Sequence, residues 1–106
     1  MATLSTHVLD ISLGIPADGV GVTLATGEGH VLEEGRTDTD GRIGHLGGHL
    51  APGEYRLRFG TGDYLTRSGA EAFYPEVVVT FTIAADEHHH VPLLLSPYGY
   101  STYRGS

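Results

Sequence analysis

Histidines stand at positions 7, 30, 45, 49, 88, 89 and 90, seven in all, against six Lys and Arg together, every one of them Arg. Imidazole titrates near neutral pH and can take or give a proton in water chemistry. No Cys occurs, which excludes thiolate nucleophiles, thiolate metal sites and disulfides. The segment from His88 to Ser96 reads as a strand. Its odd residues, His89, Val91, Leu93 and Leu95, make a core face, because side chains alternate across a strand. The even residues, His88, His90, Pro92, Leu94 and Ser96, make a second face that is also largely apolar yet carries two imidazoles. The opening strand repeats this, with Ser5, His7, Leu9 and Ile11 on one side and Thr6, Val8 and Asp10 on the other. A sandwich sheet normally shows water one polar face. The half-apolar face is therefore expected to lie against another subunit or to line a pocket. Two imidazoles and a guanidinium on such a partly dry surface suit polarising a carbonyl and activating water, with Ser and Tyr hydroxyls positioning the substrate.

Blander readings stand beside this one. A lone strand histidine is usually a hydrogen-bonded structural residue, and His88 to His90 fit a solvated strand end. Neighbouring strand residues point to opposite faces, so only His88 and His90 could share a zinc ion. Gly27-Glu28-Gly29 is followed by neither a helix nor a Lys and is no phosphate loop. His45 and His49 fall in a glycine-rich loop and suggest no role.

The elements that must position these groups are short. The chain of 106 residues, with a net charge of −7, reads as a single domain over residues 1–106. Its acidity argues against nucleic acid and anionic membranes as partners. No apolar run is long enough to span a membrane. The first seven residues lack the basic and apolar regions of a secretory signal, which makes the cytoplasm the expected location. Period two dominates. Val20, Val22 and Leu24 alternate with Gly21 and Thr23, and His30 to Thr37 reads as a strand. Asp40-Gly41 predicts a tight hairpin with both central residues at positive φ. Tyr55, Leu57 and Phe59 face inward opposite Arg56 and Arg58, and Val77 to Ile83 is β-branched. Part of Asp63–Ala72 breaks the alternation and predicts a short helix capped by Asp63. A last strand is expected over Tyr100 to Arg104. Seven or eight short strands with one short helix predict an all-β sandwich.

Several motifs resemble one family. Leu4-Ser5-Thr6-His7-Val8-Leu9-Asp10 followed by Gly14-Ile15-Pro16-Ala17 resembles the opening signature of the transthyretin-like proteins. Thr37-Asp38-Thr39-Asp40-Gly41-Arg42, Phe73-Tyr74-Pro75 and His88 to Pro97 resemble later motifs of that family in the same order. The closing Tyr103-Arg104-Gly105-Ser106 resembles the mark of its 5-hydroxyisourate hydrolase branch, as distinct from the hormone carrier. The resemblance spans residues 4 to 106. It implies a prealbumin-like sandwich of two four-stranded sheets, assembled as a homotetramer (a dimer of dimers) with active sites at the ends of a central channel. The implied reaction turns 5-hydroxyisourate into 2-oxo-4-hydroxy-4-carboxy-5-ureidoimidazoline in urate degradation, with no metal or other cofactor. By position, His7, Arg42 and His90 match the family's catalytic residues. Tyr103, Arg104, Gly105 and Ser106 match its active-site tail, and Ser101 alternates onto the face of Tyr103. His89 departs from the usual aromatic residue between two histidines, on the face away from His90. Asp38 replaces a common Asn. The competing functions are a carrier that binds an apolar ligand without reaction, a zinc module and an Ig-like interaction domain. The histidine face and the tail speak against the carrier and the interaction domain, while metal analysis of the purified protein separates a zinc module built on His88 and His90 from the enzyme.

Overall fold

A computed structural model of the chain describes residues 2–105. Nine strands and one helix follow in the order β1 (Thr3–Asp10), β2 (Ile15–Pro16), β3 (Gly21–Thr26), β4 (Val31–Arg36), β5 (Arg42–Ile43), β6 (Gly53–Phe59), α1 (Thr61–Arg67), β7 (Val77–Ile83), β8 (His88–Ser96) and β9 (Gly99–Thr102). They form two sheets. One runs β4-β3-β6-β7; the other runs β2-β1-β8-β9, with β5 also paired to β1. The second sheet thus counts five strands where four are expected. It is still four strands wide, since β2 pairs with Leu9 and Asp10 while β5 pairs with Thr6 and His7. Both lie end to end along the edge of β1 that β8 leaves free. Two-residue strands leave no alternation to read in a sequence.

Burial follows the alternation. Leu4, Val8, Leu93 and Leu95 from one sheet meet Val22, Leu24, Leu57, Phe59 and Ile83 from the other, each at most 1% exposed. Polar groups at this core face are satisfied: Thr6 Oγ1 donates to the Val91 carbonyl at 2.6 Å. Asp10 ends β1 inside the protein. Its Oδ1 accepts from the Ser12 and Leu13 amides at 3.1 Å and from Ser12 Oγ at 2.6 Å, and its Oδ2 accepts from Tyr64 Oη at 2.8 Å. That last bond ties α1 to the end of β1.

Three local expectations need correction. The helix starts at Thr61, so Asp63 lies in its first turn and does not cap it; Gly60 holds the cap position without a side-chain bond. A tertiary contact sets this start, because Thr61 is buried and its Oγ1 donates to the Tyr74 carbonyl at 3.2 Å. Asp40-Gly41 makes a tight turn, but only Gly41 has positive φ, 76°. The turn also joins strands of different sheets, β4 and β5, and closes no hairpin. Finally, β9 stops at Thr102. Its register, Leu93 with Thr102 and Leu94 with Ser101, resumes at Gly105 opposite His90, which sets Tyr103 opposite Pro92. Proline has no N–H for the ladder bond that this pair requires, and pairing lapses there.

Candidate active site

The pairing of β1 with β8 is parallel, with Ser5 opposite His90 and His7 opposite Pro92. On the other edge of β1, His7 stands opposite Arg42. Two rows of side chains therefore cross the outer face of this sheet. One runs Arg42, His7, Pro92, Tyr103; the next runs Ser5, His90, Gly105. Successive same-face rows are about 7 Å apart. His7, Arg42, His90 and the tail segment at Gly105 are thereby brought together from four parts of the chain. In the single chain they form an open patch, with His7 and His90 half-buried and Arg42 exposed.

A turn welded to β1 places Arg42. Asp38 Oδ1 accepts from the Asp40 and Arg42 amides, both at 2.9 Å, in the manner of an Asx turn. Only an acceptor oxygen is used, so Asp serves here as Asn does. Gly41 donates its N–H to the Asp38 carbonyl at 2.9 Å and accepts at its own carbonyl from the Val8 amide at 2.7 Å. A Cβ at Gly41 would collide with the Val8 carbonyl oxygen, so this approach demands glycine. The same turn aims the Asp40 carbonyl at His7 Nε2, 2.9 Å away. A carbonyl only accepts, so Nε2 carries hydrogen and the neutral His7 ring keeps its lone pair on Nδ1.

His90 differs. Its Nδ1 lies 2.7 Å from Ser5 Oγ, and its Nε2 makes no hydrogen bond among the described residues. Burial lowers the proton affinity of His90 below the ordinary histidine value, and the nearby Arg42, His7 and His88 lower it further, while a backbone bond with Ser5 pulls the other way. A neutral imidazole with a guanidinium nearby is an arrangement able to serve as a base paired with an oxyanion donor.

The other expected site residues spread out. Ser101 is exposed and stands opposite Leu94, about 13 Å along β8 from His90. Tyr103 and Arg104 line, with His90, Phe81 and Val79, a cleft of about 340 Å³ along the open edge between the sheets. Arg104 Nη2 donates to Glu87 Oε1 at 2.7 Å. Ser106 lies outside the described residues. His89 is buried in the core, its Nδ1 donating to the Glu87 carbonyl at 2.9 Å; His30, His45 and His49 are exposed. Sequence reasoning missed Ser5 and Thr3 as partners of this face. Their signal was the alternation that sets Thr3, Ser5 and His7 on one side, but only strand pairing shows that His88 and His90 face them.

Among the described residues, no group of three or more His, Asp and Glu side chains converges as a metal site would require. No helix among the described residues is long and apolar enough to cross a membrane.

The chain matches the HIUase/Transthyretin family over residues 4–105. It is 49% identical to a 5-hydroxyisourate hydrolase of Caulobacter vibrioides, with each chain covered in full. The fold superposes on the structure of Klebsiella pneumoniae 5-hydroxyisourate hydrolase with a TM-score of 0.92 at 44% identity, covering 100% of this chain and 94% of that one. It superposes on sea bream transthyretin in complex with thyroxine with a TM-score of 0.89 at 31% identity, covering 96% of this chain and 93% of that one. The hydrolase and the thyroxine-bound transthyretin thus share the backbone, and side chains must separate them.

Proposed function

The chain belongs to the HIUase/Transthyretin family, and from that premise we propose that it hydrolyses 5-hydroxyisourate to 2-oxo-4-hydroxy-4-carboxy-5-ureidoimidazoline in urate degradation. One observation carries this reading over that of a carrier. A carrier needs an apolar slot, whereas here a guanidinium and two differently hydrogen-bonded imidazoles share one patch beside the tail.

The bond cleaved is a ring amide, and the hard step is adding water to its carbonyl. His90 takes the proton of the attacking water at Nε2. Arg42 faces the oxygen of the carbonyl and stabilises the charge that develops there. The Nδ1 lone pair of His7 receives an N–H or O–H of the ring and fixes its orientation. When the carbon–nitrogen bond breaks, the proton held by His90 passes to the departing nitrogen and leaves a carboxylate and a ureido group. Tyr103, Arg104 and Gly105 lie nearest His90 among the proposed substrate-binding residues, which also include Ser101 and, by family resemblance, Ser106. A positioned general base contributes about 10²–10⁴-fold, and one oxyanion donor about 10²–10³-fold. The reaction as read needs no cofactor.

The proposal includes assembly as a homotetramer, a dimer of dimers. Edge strands β7 and β9 have no partner on their outer sides among the described residues, and such edges favour pairing with another copy. Ile11, Leu13, Tyr98 and Tyr103 are each more than half exposed, which supports burial against neighbours. A second subunit over the patch supplies the walls that a single chain lacks. The cytoplasm is the proposed location. The test is the ultraviolet decay of freshly made 5-hydroxyisourate with and without the protein. Acceleration over the spontaneous rate is expected, and decay at the spontaneous rate contradicts the reading.

A further inference from the structure

Beyond His90, the outer face holds a line of hydrogen-bonding side chains that the reaction above leaves unused. Ser5 Oγ sits 2.7 Å from His90 Nδ1 and 2.8 Å from His88 Nε2. Thr3 Oγ1 sits 2.6 Å from His88 Nδ1. Register enforces the line, since Thr3 lies opposite His88 and Ser5 opposite His90 across the parallel pair, all on one face. It leads from the half-buried His90 to the exposed His88 at the start of β8.

Proton counting restricts this line. A hydroxyl has one hydrogen to give. Held between two imidazole nitrogens, Ser5 donates to one and accepts from the other. With neutral rings, two orderings satisfy every bond. In the first, His90 Nδ1–H donates to Ser5, Ser5 donates to His88 Nε2, and His88 Nδ1–H donates to Thr3 Oγ1. His90 Nε2 is then a bare lone pair. In the second, Thr3 donates to His88 Nδ1, His88 Nε2–H to Ser5, and Ser5 to His90 Nδ1. His90 Nε2 then carries hydrogen. The first ordering makes His90 a base at Nε2 and the second makes it an acid there.

We propose that Ser5 and His88 are positioning residues for His90, holding it in the first ordering at rest and passing protons between it and Thr3 at the edge of the patch during turnover. This rests on the hydrolase reading above. The proton taken from water binds His90 Nε2. The Nδ1 proton moves to Ser5 Oγ as the Ser5 proton moves to His88 Nε2. The proton on His88 Nδ1 moves to Thr3 Oγ1, and that of Thr3 goes to solvent. One proton enters, one leaves, and the line stands in the second ordering. When Nε2–H protonates the departing nitrogen, the shifts reverse with a proton entering at Thr3, and the first ordering returns. The gain is electrostatic. The groups facing His90 are Arg42 from β5, His7 and Ser5 from β1, and His88 from β8, with the uncharged Gly105 from the tail and Arg104 paired to Glu87 beyond it. A lasting imidazolium would sit among fixed and potential cations; the line lets His90 hold the proton while staying neutral.

The test uses the full chain with 15N-labelled histidine and no substrate. Long-range proton–nitrogen correlation identifies which His90 nitrogen bears hydrogen at neutral pH. The expected result is Nδ1 in the parent protein and a shift toward Nε2 in Ser5→Ala. His88→Gln, which keeps an amide against Ser5, is the second variant should Ser5→Ala fail to fold. It is expected to lower kcat several-fold in dilute buffer with KM unchanged, and to make turnover rise with buffer concentration, which the parent does not show. Hydrogen on Nε2 of the parent, or a His88→Gln variant with parental kcat at every buffer concentration, overturns the proposal. A parent protein that leaves 5-hydroxyisourate untouched sinks the hydrolase reading instead, and the nitrogen assignment still decides the ordering.

Discussion

The ring of His90 occupies the space that a side chain at Gly105 would need: a Cβ there would lie 2.6 Å from Cδ2 and 3.2 Å from Cγ of the imidazole. The Gly105 amide donates to the His90 carbonyl at 2.8 Å, so the tail cannot simply move away. Gly105→Ala must therefore push the ring or the tail aside. Misplacing a reacting group by about 1 Å can lower rate about 10²-fold. The expected outcome is a loss of about tenfold or more in kcat/KM with little change in Tm, read by the ultraviolet assay and thermal unfolding. Parental kcat/KM in this variant would detach the tail from the reaction.

Three alanine variants address the roles assigned to the patch. His7→Ala, Arg42→Ala and His90→Ala should each lower turnover by at least about tenfold. All three side chains are half-buried or exposed on the outer face, so the fold should survive, as circular dichroism would show. Unchanged turnover in one variant removes that residue from the mechanism.

The pH profile follows from His90. Burial and neighbouring positive charge hold its proton affinity below the ordinary histidine value of 6.5. Its base form thus persists to lower pH than an ordinary histidine's. The acid limb of kcat/KM for the free enzyme should fall below 6.5, and Arg42→Lys, which keeps the charge, should leave it there. Removing charge with Arg42→Gln should move the limb upward. An acid limb above 6.5 in the parent contradicts this assignment of the base.

Stability has its own pH signature in Asp10 and Tyr64. Burial works against the Asp10 charge, but its hydrogen bonds to Ser12, Tyr64 and Leu13 outweigh that and hold the carboxyl below 3.8. Its stabilising contribution is present above the unfolded value and is lost as pH falls through the folded one. Burial and the Asp10 carboxylate push Tyr64 up to about 12. That contribution is intact below the ordinary value of 10.0 and fades as pH rises toward 12. Tyr64→Phe strips a donor from a buried carboxylate, which costs about 1–3 kcal/mol. Thermal unfolding should show a lower Tm with parental kcat, because the pair lies at the opposite end of β1 from Ser5 and His90. A Tm equal to the parent's would show that Asp10 does not depend on this donor.

Much of this architecture was legible in the residues. Alternation marked the bounds of β7 and β8 and the inward faces of β1, β3 and β6, because one buried face per strand imposes period two. The half-apolar outer face carrying His7 and His90 was equally readable. Pairing was not. That β1 and β8 run parallel, setting Ser5 beside His90, depends on contacts some eighty residues apart. Two-residue strands carry no repeat to read, and the early end of β9 is hidden from the sequence because the missing N–H of Pro92 acts across the sheet. Arg42 as a site residue came from family resemblance, since nothing local marks a turn that leaves one sheet and docks on the other.

The central claim is that Arg42 and His90 act together on one transition state. A double-mutant cycle on 5-hydroxyisourate hydrolysis tests it most directly. Groups acting as a unit are strongly non-additive, so the loss in Arg42→Ala/His90→Ala should be far smaller than the product of the two single losses. A double variant whose loss equals that product would mean that the two residues act independently, and the shared site would be contradicted.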